Sequence, residues 1–439
     1  MKTLLVLVSA MLPMASMAPA QDPAQDPGQA PPQAVQHWQD MRFGMFIHWG
    51  PVSLKGTEIG WSRGDQIPIA EYDNLHKQFN PVSFDAEAWA LTAKAAGMKY
   101  LVLTTKHHDG FCLWDTKATD FNIMSTPFKR DVVKELSQAC KKHGIAFGTY
   151  YSTCDWHHPA YPLGSPGGKS KKPNPDLKAY DAYLRQQVTE LVKNYGPLST
   201  LWFDVPQVYG RDYGIPMVKA LRELQPDIMI NNRAYNAGVG GGGAGKKTKV
   251  GDYDTPEQKV GGFQIDRPWE TCMTLCNQWA WKPNDGMKPI EQCLRTLVLT
   301  IGGGGNLLFN VGPMPDGRIE ERQVVRLKEM GTWVQQHSEA IYGTRGGPFK
   351  PGQGLAATCK GNTIYLFVMK EAAETLVLPA LPRAIKSATI LGGGKADIKE
   401  SDGKLTLLLP AALRQPPITV LKLELDGSAM DIPAIDLPK

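Results

Sequence analysis

The chain has 439 residues, with 48 basic against 43 acidic side chains for a net charge of +5, and 42% of its residues are hydrophobic. That length calls for two domains, not one core. The balanced charge, with no basic run interleaved with aromatics, excludes a nucleic-acid partner of the usual kind, and no apolar run reaches the ~20 residues of a membrane span.

The opening "MKTLLVLVSAMLPMASMAPA" carries one lysine, a short apolar core and small residues before Gln21. This layout predicts a secretory signal peptide over 1–20 and an exported protein, periplasmic or extracellular. Residues 21–36 are rich in Pro, Gln and Ala, a composition that buries no core and predicts a disordered leader. From there to residue 347, short apolar runs alternate with amphipathic stretches. Strands are predicted at 43–49, 100–105, 145–152, 199–205, 227–233 and 306–311. "DVVKELSQACKKHG" has Asp131 as N-cap and three basic residues before Gly144, which suits the helix dipole at both ends. Over 177–195, Leu177, Tyr180, Leu184, Val188, Leu191, Val192 and Tyr195 trace one face of a helix.

Strand and helix alternating this often predict a parallel sheet covered by helices. His48, His107, Asp204, Arg233 and Asn310 fall at the C-terminal ends of different strands. An open sheet gathers its ligand residues at one switch point, whereas a (β/α)8 barrel collects them around a ring; the barrel fits better. Beyond residue 348 the runs "NTIYLFVM", "ETLVLP", "IKSATIL", "KLTLLLP" and "ITVLKLEL" are separated by Gly, Pro or Asp turns. They predict an antiparallel β-sandwich over 348–428, followed by a tail at 429–439.

His107 and His108 are adjacent, and adjacent side chains on a strand point to opposite faces. With no carboxylate-and-histidine cluster at ligand spacing, the pair does not read as a metal site. "GGGGAGKKT" at 240–248 imitates a phosphate loop but has Lys247 where Ser or Thr would hold magnesium, and no helix follows. The seven cysteines lack paired spacing, so no disulfide framework is expected; Cys140 reads as core. In "LWFDVPQ", Trp202 and Asp204 share one face of a strand while Phe203 faces away. Asn231 and Arg233 share a face of the next strand, from which Arg233 could keep a carboxylate ionised. Acid/base chemistry needs a second carboxylate, and the residues offer two. Glu257 lies on a loop, and Glu270 sits beside Trp269, where desolvation would raise its pKa.

Together, "RFGMFIHWG", "TTKHHDGFCLWDT", "GTYYSTCDW", "LWFDV", "NNR", "WETCMT" and "GGNLLFNVGPMPDG" occur in this order, and the chain so far resembles the α-L-fucosidases of glycoside hydrolase family 29. The resemblance covers residues 37–345 and the sandwich in outline. It implies a (β/α)8-like, TIM-type barrel with no metal and no cofactor. The implied reaction is hydrolysis of terminal α-L-fucosides on a fucosylated glycan, with retention of configuration. His48, His107 and His108 would bind fucose hydroxyls, Gly110 letting the chain bend so that both neighbours reach the pocket. Tyr150 and Trp202 would line it, Trp61 would stand at its edge, and Arg233 would lie close to the nucleophile, Asp204. For the acid/base, Glu257 is the first choice and Glu270 the second. Val205 follows Asp204 where many relatives carry glycine, and Gly60 precedes Trp61 where a carboxylate is common. A fucose-binding lectin, or a hydrolase of a related sugar such as an α-L-galactoside, would share most of these residues.

Overall fold

The computed structural model describes residues 28–237 and 250–438. The expected signal peptide, the start of the expected leader and the glycine-rich stretch at 240–248 lie outside the described residues. The chain runs α1 (Pro32–Met41), β1 (Phe43–Ile47), α2 (Ile69–Tyr72), α3 (Ala86–Ala95), β2 (Tyr100–Lys106), α4 (Val132–His143), β3 (Ala146–Ser152) and α5 (Leu177–Tyr195). It continues through β4 (Thr200–Asp204), α6 (Arg211–Leu224), β5 (Met229–Ile230), β6 (Glu270–Thr274), α7 (Ile290–Gly302), β7 (Asn306–Val311), α8 (Glu321–Gln336) and α9 (Ser338–Ile341).

The seven strands form one parallel sheet in the order β5-β4-β3-β2-β1-β7-β6, curled into a half-barrel. Successive residues on each strand divide between two cores, as the pleat requires. Phe46, Tyr100, Val102, Tyr150, Trp202, Cys272 and Leu308 meet inside the curl. Met45, Ile47, Leu101, Leu103, Phe147, Leu201 and Phe203 face the helices. With both faces covered, the strands read as continuous apolar runs. A Cβ on Gly44 would stand 2.5 Å from the Tyr100 ring, so the missing side chain leaves room for that phenol across the interior.

Helices α4 and α5 match their expected spans. Asp131 caps α4 by accepting the Lys134 N–H at 2.9 Å, and Gly144 ends it in the left-handed conformation. Cys140 is buried on its apolar face, and all seven cysteines are buried and free. The expected leader is too long at its C-terminal end, because α1 already begins at Pro32. Proline is well tolerated in a first helical turn, and burial of Trp38 and Met41 against the inward-facing residues anchors the helix. Two strand expectations also change: β5 is only two residues long, and β6 was not anticipated.

Between the edge strands β5 and β6 runs segment 252–258. On one side the Asp252 N–H donates to the Ile230 carbonyl (2.7 Å) and the Asn232 N–H to that of Tyr253 (2.9 Å). On the other, Glu270 and Cys272 donate to the carbonyls of Asp254 and Pro256 at 2.8 and 3.1 Å. Tyr253 points into the interior cluster.

The C-terminal part comprises β8 (Arg345–Gly346), β9 (Leu355–Lys360), β10 (Thr363–Met369), β11 (Thr375–Pro379), β12 (Ile385–Ile390), β13 (Asp397–Ser401), β14 (Lys404–Leu408) and β15 (Ile418–Leu425). They form antiparallel sheets of five and three strands, β12-β15-β10-β9-β8 and β11-β14-β13. Ile364, Leu366 and Val368 on β10 join Leu376, Leu378, Leu405 and Leu407 in a core between the sheets. Tyr365, Phe367 and Met369, on the opposite face of β10, join the larger domain's outer core. The tail is pinned as well, with Ile435 exchanging backbone hydrogen bonds with Pro348 and Lys350 at 2.9 Å each.

Asp252 fastens the β5 edge. Its buried carboxylate accepts the N–H groups of Ala30 and Ile230 at 2.7 Å and the Arg222 guanidinium at 2.5 Å. Asp252→Ala would strand a nearly buried arginine, so urea titration is expected to show a loss of about 3–5 kcal/mol. A loss no larger than about 1 kcal/mol, the scale of a surface pair, would contradict this role.

Candidate active site

Asp204 ends β4 at the C-terminal mouth of the curled sheet. The strand ends there because Val205 turns the chain at φ 49°, a left-handed conformation that costs a β-branched residue roughly 1–2 kcal/mol. The turn aims the Val205 N–H at Asp204 Oδ1, 2.9 Å away. Arg233 Nη1 donates to the same oxygen at 2.8 Å, and the Tyr150 hydroxyl donates to Oδ2 at 2.9 Å. Burial alone would raise the pKa of Asp204. The Arg233 charge and these hydrogen bonds outweigh it and hold the carboxyl below its usual value.

Arg233 is positioned from three directions. Its Nε and Nη2 donate to the Thr255 hydroxyl and carbonyl at 2.9 and 2.8 Å, and its guanidinium lies 4.8 Å over the Trp202 ring. That leaves Nη1, which also donates to Glu257 Oε2 at 2.9 Å. One nitrogen therefore bridges the two carboxylates. Burial would lower the arginine's pKa, but Asp204 above all, with Glu257, pushes it above its ordinary value. Asn231 takes no part in the site; its side chain exchanges two 2.8 Å hydrogen bonds with the Phe203 backbone.

The histidines are held neutral. His48 Nδ1 lies 2.7 Å from Asn310 Oδ1, and the Asn310 amide donates to the Trp279 carbonyl at 2.7 Å. This network places the proton on Nδ1 and leaves Nε2 as an acceptor. Burial lowers the pKa of His48 to about 3 and that of His108 to about 4. His108 Nδ1 meets the Ser152 hydroxyl at 2.7 Å; Ser152 Oγ already accepts the Cys154 N–H at 3.1 Å, so its hydroxyl can donate to Nδ1 and leave the proton on Nε2, which stands 3.8 Å from Asp204 Oδ2. His107 is pushed well below 6.5 by burial, and its ring stacks on Tyr150 at 5.4 Å. The two neighbours do not alternate across a strand, since β2 stops at Lys106 and its register against β3 already shifts there. Both rings can then face the same cavity.

That cavity, about 170 Å³, contains every expected site residue except Glu270. It is smaller than the roughly 300–1,000 Å³ of drug-sized sites, which suits a single sugar ring. Trp61 stands at its edge, 42% exposed, with its ring 5.2 Å from that of His108. Trp279, which sequence reasoning missed, lines the opposite side with its ring 4.7 Å from that of His48. The "WAW" at 279–281 was the available signal. Glu58 joins the two tryptophan-bearing loops by accepting the N–H groups of Trp279 and Ala280 at 3.0 Å each. A larger cavity of about 690 Å³ opens at the other end of the sheet beside α1, but Asp227 is its only acidic side chain.

Glu270 lies elsewhere. It starts β6, opposite Asn306 at the beginning of β7, and is completely buried. Its oxygens accept the Tyr100 hydroxyl at 2.5 Å and the Trp202 indole N–H at 3.0 Å. Trp202 lies between it and the cavity, so the second choice for acid/base does not face a substrate. Burial raises its pKa to about 7, as expected for a desolvated carboxyl.

Two carboxylates on one cation, beside neutral imidazoles and indoles in a cavity of sugar-ring size, are what hydrolysis of a glycosidic bond calls for. A family model described as alpha-L-fucosidase matches residues 13–339, and the chain belongs to that family. It is 30% identical over 395 residues to a plasma alpha-L-fucosidase of Homo sapiens, spanning 82% of each chain. Its fold is similar to that of alpha-L-fucosidase isoenzyme 1 from Paenibacillus thiaminolyticus, with TM-score 0.81, 34% identity, and coverage of 90% of this chain and 99% of that one. It is also similar to a family 29 alpha-L-fucosidase from Bacteroides thetaiotaomicron, a trapped covalent intermediate with 2-fluoro-fucosyl fluoride. There the TM-score is 0.80, the identity 26%, and the coverage 91% and 98%.

Histidines with lowered pKa values stay neutral until the pH falls toward those values, so sugar binding should not weaken as pH passes through the ordinary histidine range. The inhibition constant of L-fucose is expected to stay flat between about pH 7 and 5. Weakening with a midpoint near 6.5, the ordinary imidazole value, would contradict the assignment.

Proposed function

We propose that this chain hydrolyses terminal α-L-fucosides with retention of configuration, by double displacement between Asp204 and Glu257. The observation carrying this reading is the shared nitrogen. Asp204 Oδ1 and Glu257 Oε2 both lie within hydrogen-bond reach of Arg233 Nη1, so they can be no farther apart than 2.8 and 2.9 Å laid end to end. Retaining enzymes hold their carboxyl groups about 5–5.5 Å apart, against roughly 6.5–9.5 Å for inverting ones.

In the first step ionised Asp204 attacks the anomeric carbon while Glu257 protonates the departing oxygen. In the second, Glu257 takes a proton from water, which attacks the same carbon and releases Asp204. The negative charge thus passes from Asp204 to Glu257 and back, and Arg233 touches both stations throughout. His48 Nε2 would accept, and His108 Nε2 donate, hydrogen bonds to sugar hydroxyls. The trapped intermediate of the Bacteroides relative supports a covalent route here. We read the sheet as a closed (β/α)8-like barrel with segment 252–258 as the eighth stave, a reading supported by its backbone hydrogen bonds to both edges. Export by way of residues 1–20 belongs to the same proposal.

Azide separates the two roles. Asp204→Gly is expected to lose about 10⁴-fold or more in kcat and, with azide, to yield β-L-fucosyl azide. Glu257→Ala should lose about 10²–10⁴-fold on poor leaving groups and yield the α-azide. Interchanged anomers, or no rescue of Glu257→Ala, would overturn the roles.

A further inference from the structure

Glu270 has no part in the reaction just described, yet it is an unusual group to keep inside a sheet. It is fully buried and makes no ion pair among the described residues, where an unpaired carboxyl is costly to hold. Both of its oxygens are used: one accepts the Trp202 indole N–H and the other the Tyr100 hydroxyl. The indole so held has two further neighbours. Its ring stacks on that of Tyr150 with centroids 5.5 Å apart at 20°, and the Arg233 guanidinium lies 4.8 Å over it. Those are the two side chains that grip Asp204, Tyr150 on Oδ2 and Arg233 on Oδ1. Trp202 therefore backs both hands on the nucleophile, and Glu270 has hold of its only polar atom.

We propose that Glu270 is a positioning residue that fixes the Trp202 indole and, through it, the placement of Tyr150 and Arg233 on Asp204. A carboxylate suits the task because two donors converge on it, and each of its oxygens can take one. Leucine in its place would leave the indole free to shift, and the nucleophile's two partners would shift with it. Misplacement of reacting groups by about 1 Å can cost 10²-fold in rate. The proposal rests on Asp204 being the nucleophile.

The test compares Glu270→Leu and Glu270→Gln in the full chain. The readouts are kcat and KM on an aryl α-L-fucoside, the rate of inactivation by 2-fluoro-fucosyl fluoride, and the melting temperature. Fluoride needs no proton to depart, so this label reports on the nucleophile alone. Glu270→Leu is expected to lose about 10²-fold in kcat and in labelling rate, with KM little changed and no rescue by azide. Glu270→Gln, which keeps an acceptor for the indole, should recover part of both. In a Trp202→Phe background, Glu270→Gln should have no further effect on kcat, because the donor it serves is gone; this comparison stands even if the leucine variant does not fold. Unchanged kcat and labelling per folded molecule, rescue by azide, or a full additional loss in the Trp202→Phe background would each overturn the proposal. Wild-type label found on a residue other than Asp204 would instead refute the nucleophile on which it rests.

Discussion

Arg233 Nη1 is the point on which the site turns. Two carboxylates close enough to serve one glycosidic carbon repel each other, and in a half-buried cavity the repulsion is weakly screened. A guanidinium between them lowers that cost, and in the proposed double displacement it would do so at each stage, the charge leaving one carboxylate arriving at the other. The arginine itself must then be kept charged and immobile. Thr255 takes two of its nitrogens and the Trp202 face supports its plane. Removing any one of these supports would loosen the hold of Nη1 on both carboxylates.

The fold supplies these supports from different parts of the chain. Asp204 comes from β4, Tyr150 from β3 and the histidines from the ends of β1 and β2. Arg233 and Thr255 come from segments beside β5. Parallel strands all point their C-terminal ends the same way, so residues distant in sequence converge at one mouth. Strand register sets the stacking: Tyr150 pairs with Trp202 and Ser152 with Asp204, placing each aromatic two residues below a polar group on the same side. Glu58 and Asn310 then tie Trp279 to this framework from the rim.

Much of this was legible along the chain. The period-2 split of Trp202 and Asp204 from Phe203, the caps of α4 and the apolar face of α5 all follow from local chemistry, and the structure bears them out. What escaped depends on tertiary contacts. β6 reads "ETCMT", too polar to stand out, because its glutamate and threonines find partners only in the assembled interior. The alternation rule failed at His107 and His108 because it presumes a strand that continues. Local chemistry alone does not rank Glu257 and Glu270, and only the family resemblance puts Glu257 first, since one sits on Arg233 and the other beneath Trp202, and neither fact is local. In the sandwich, β13 reads "DIKES" and offers no apolar pattern because it is an exposed edge.

Central to the proposed reaction is the hold of Arg233 on two carboxylates at the separation that a covalent fucosyl-enzyme requires. Proton NMR of the sugar released during the first minutes of turnover, before mutarotation, tests it most directly. Initial appearance of the α anomer of L-fucose is what the geometry predicts, whereas initial appearance of the β anomer would mean a single displacement and would contradict it.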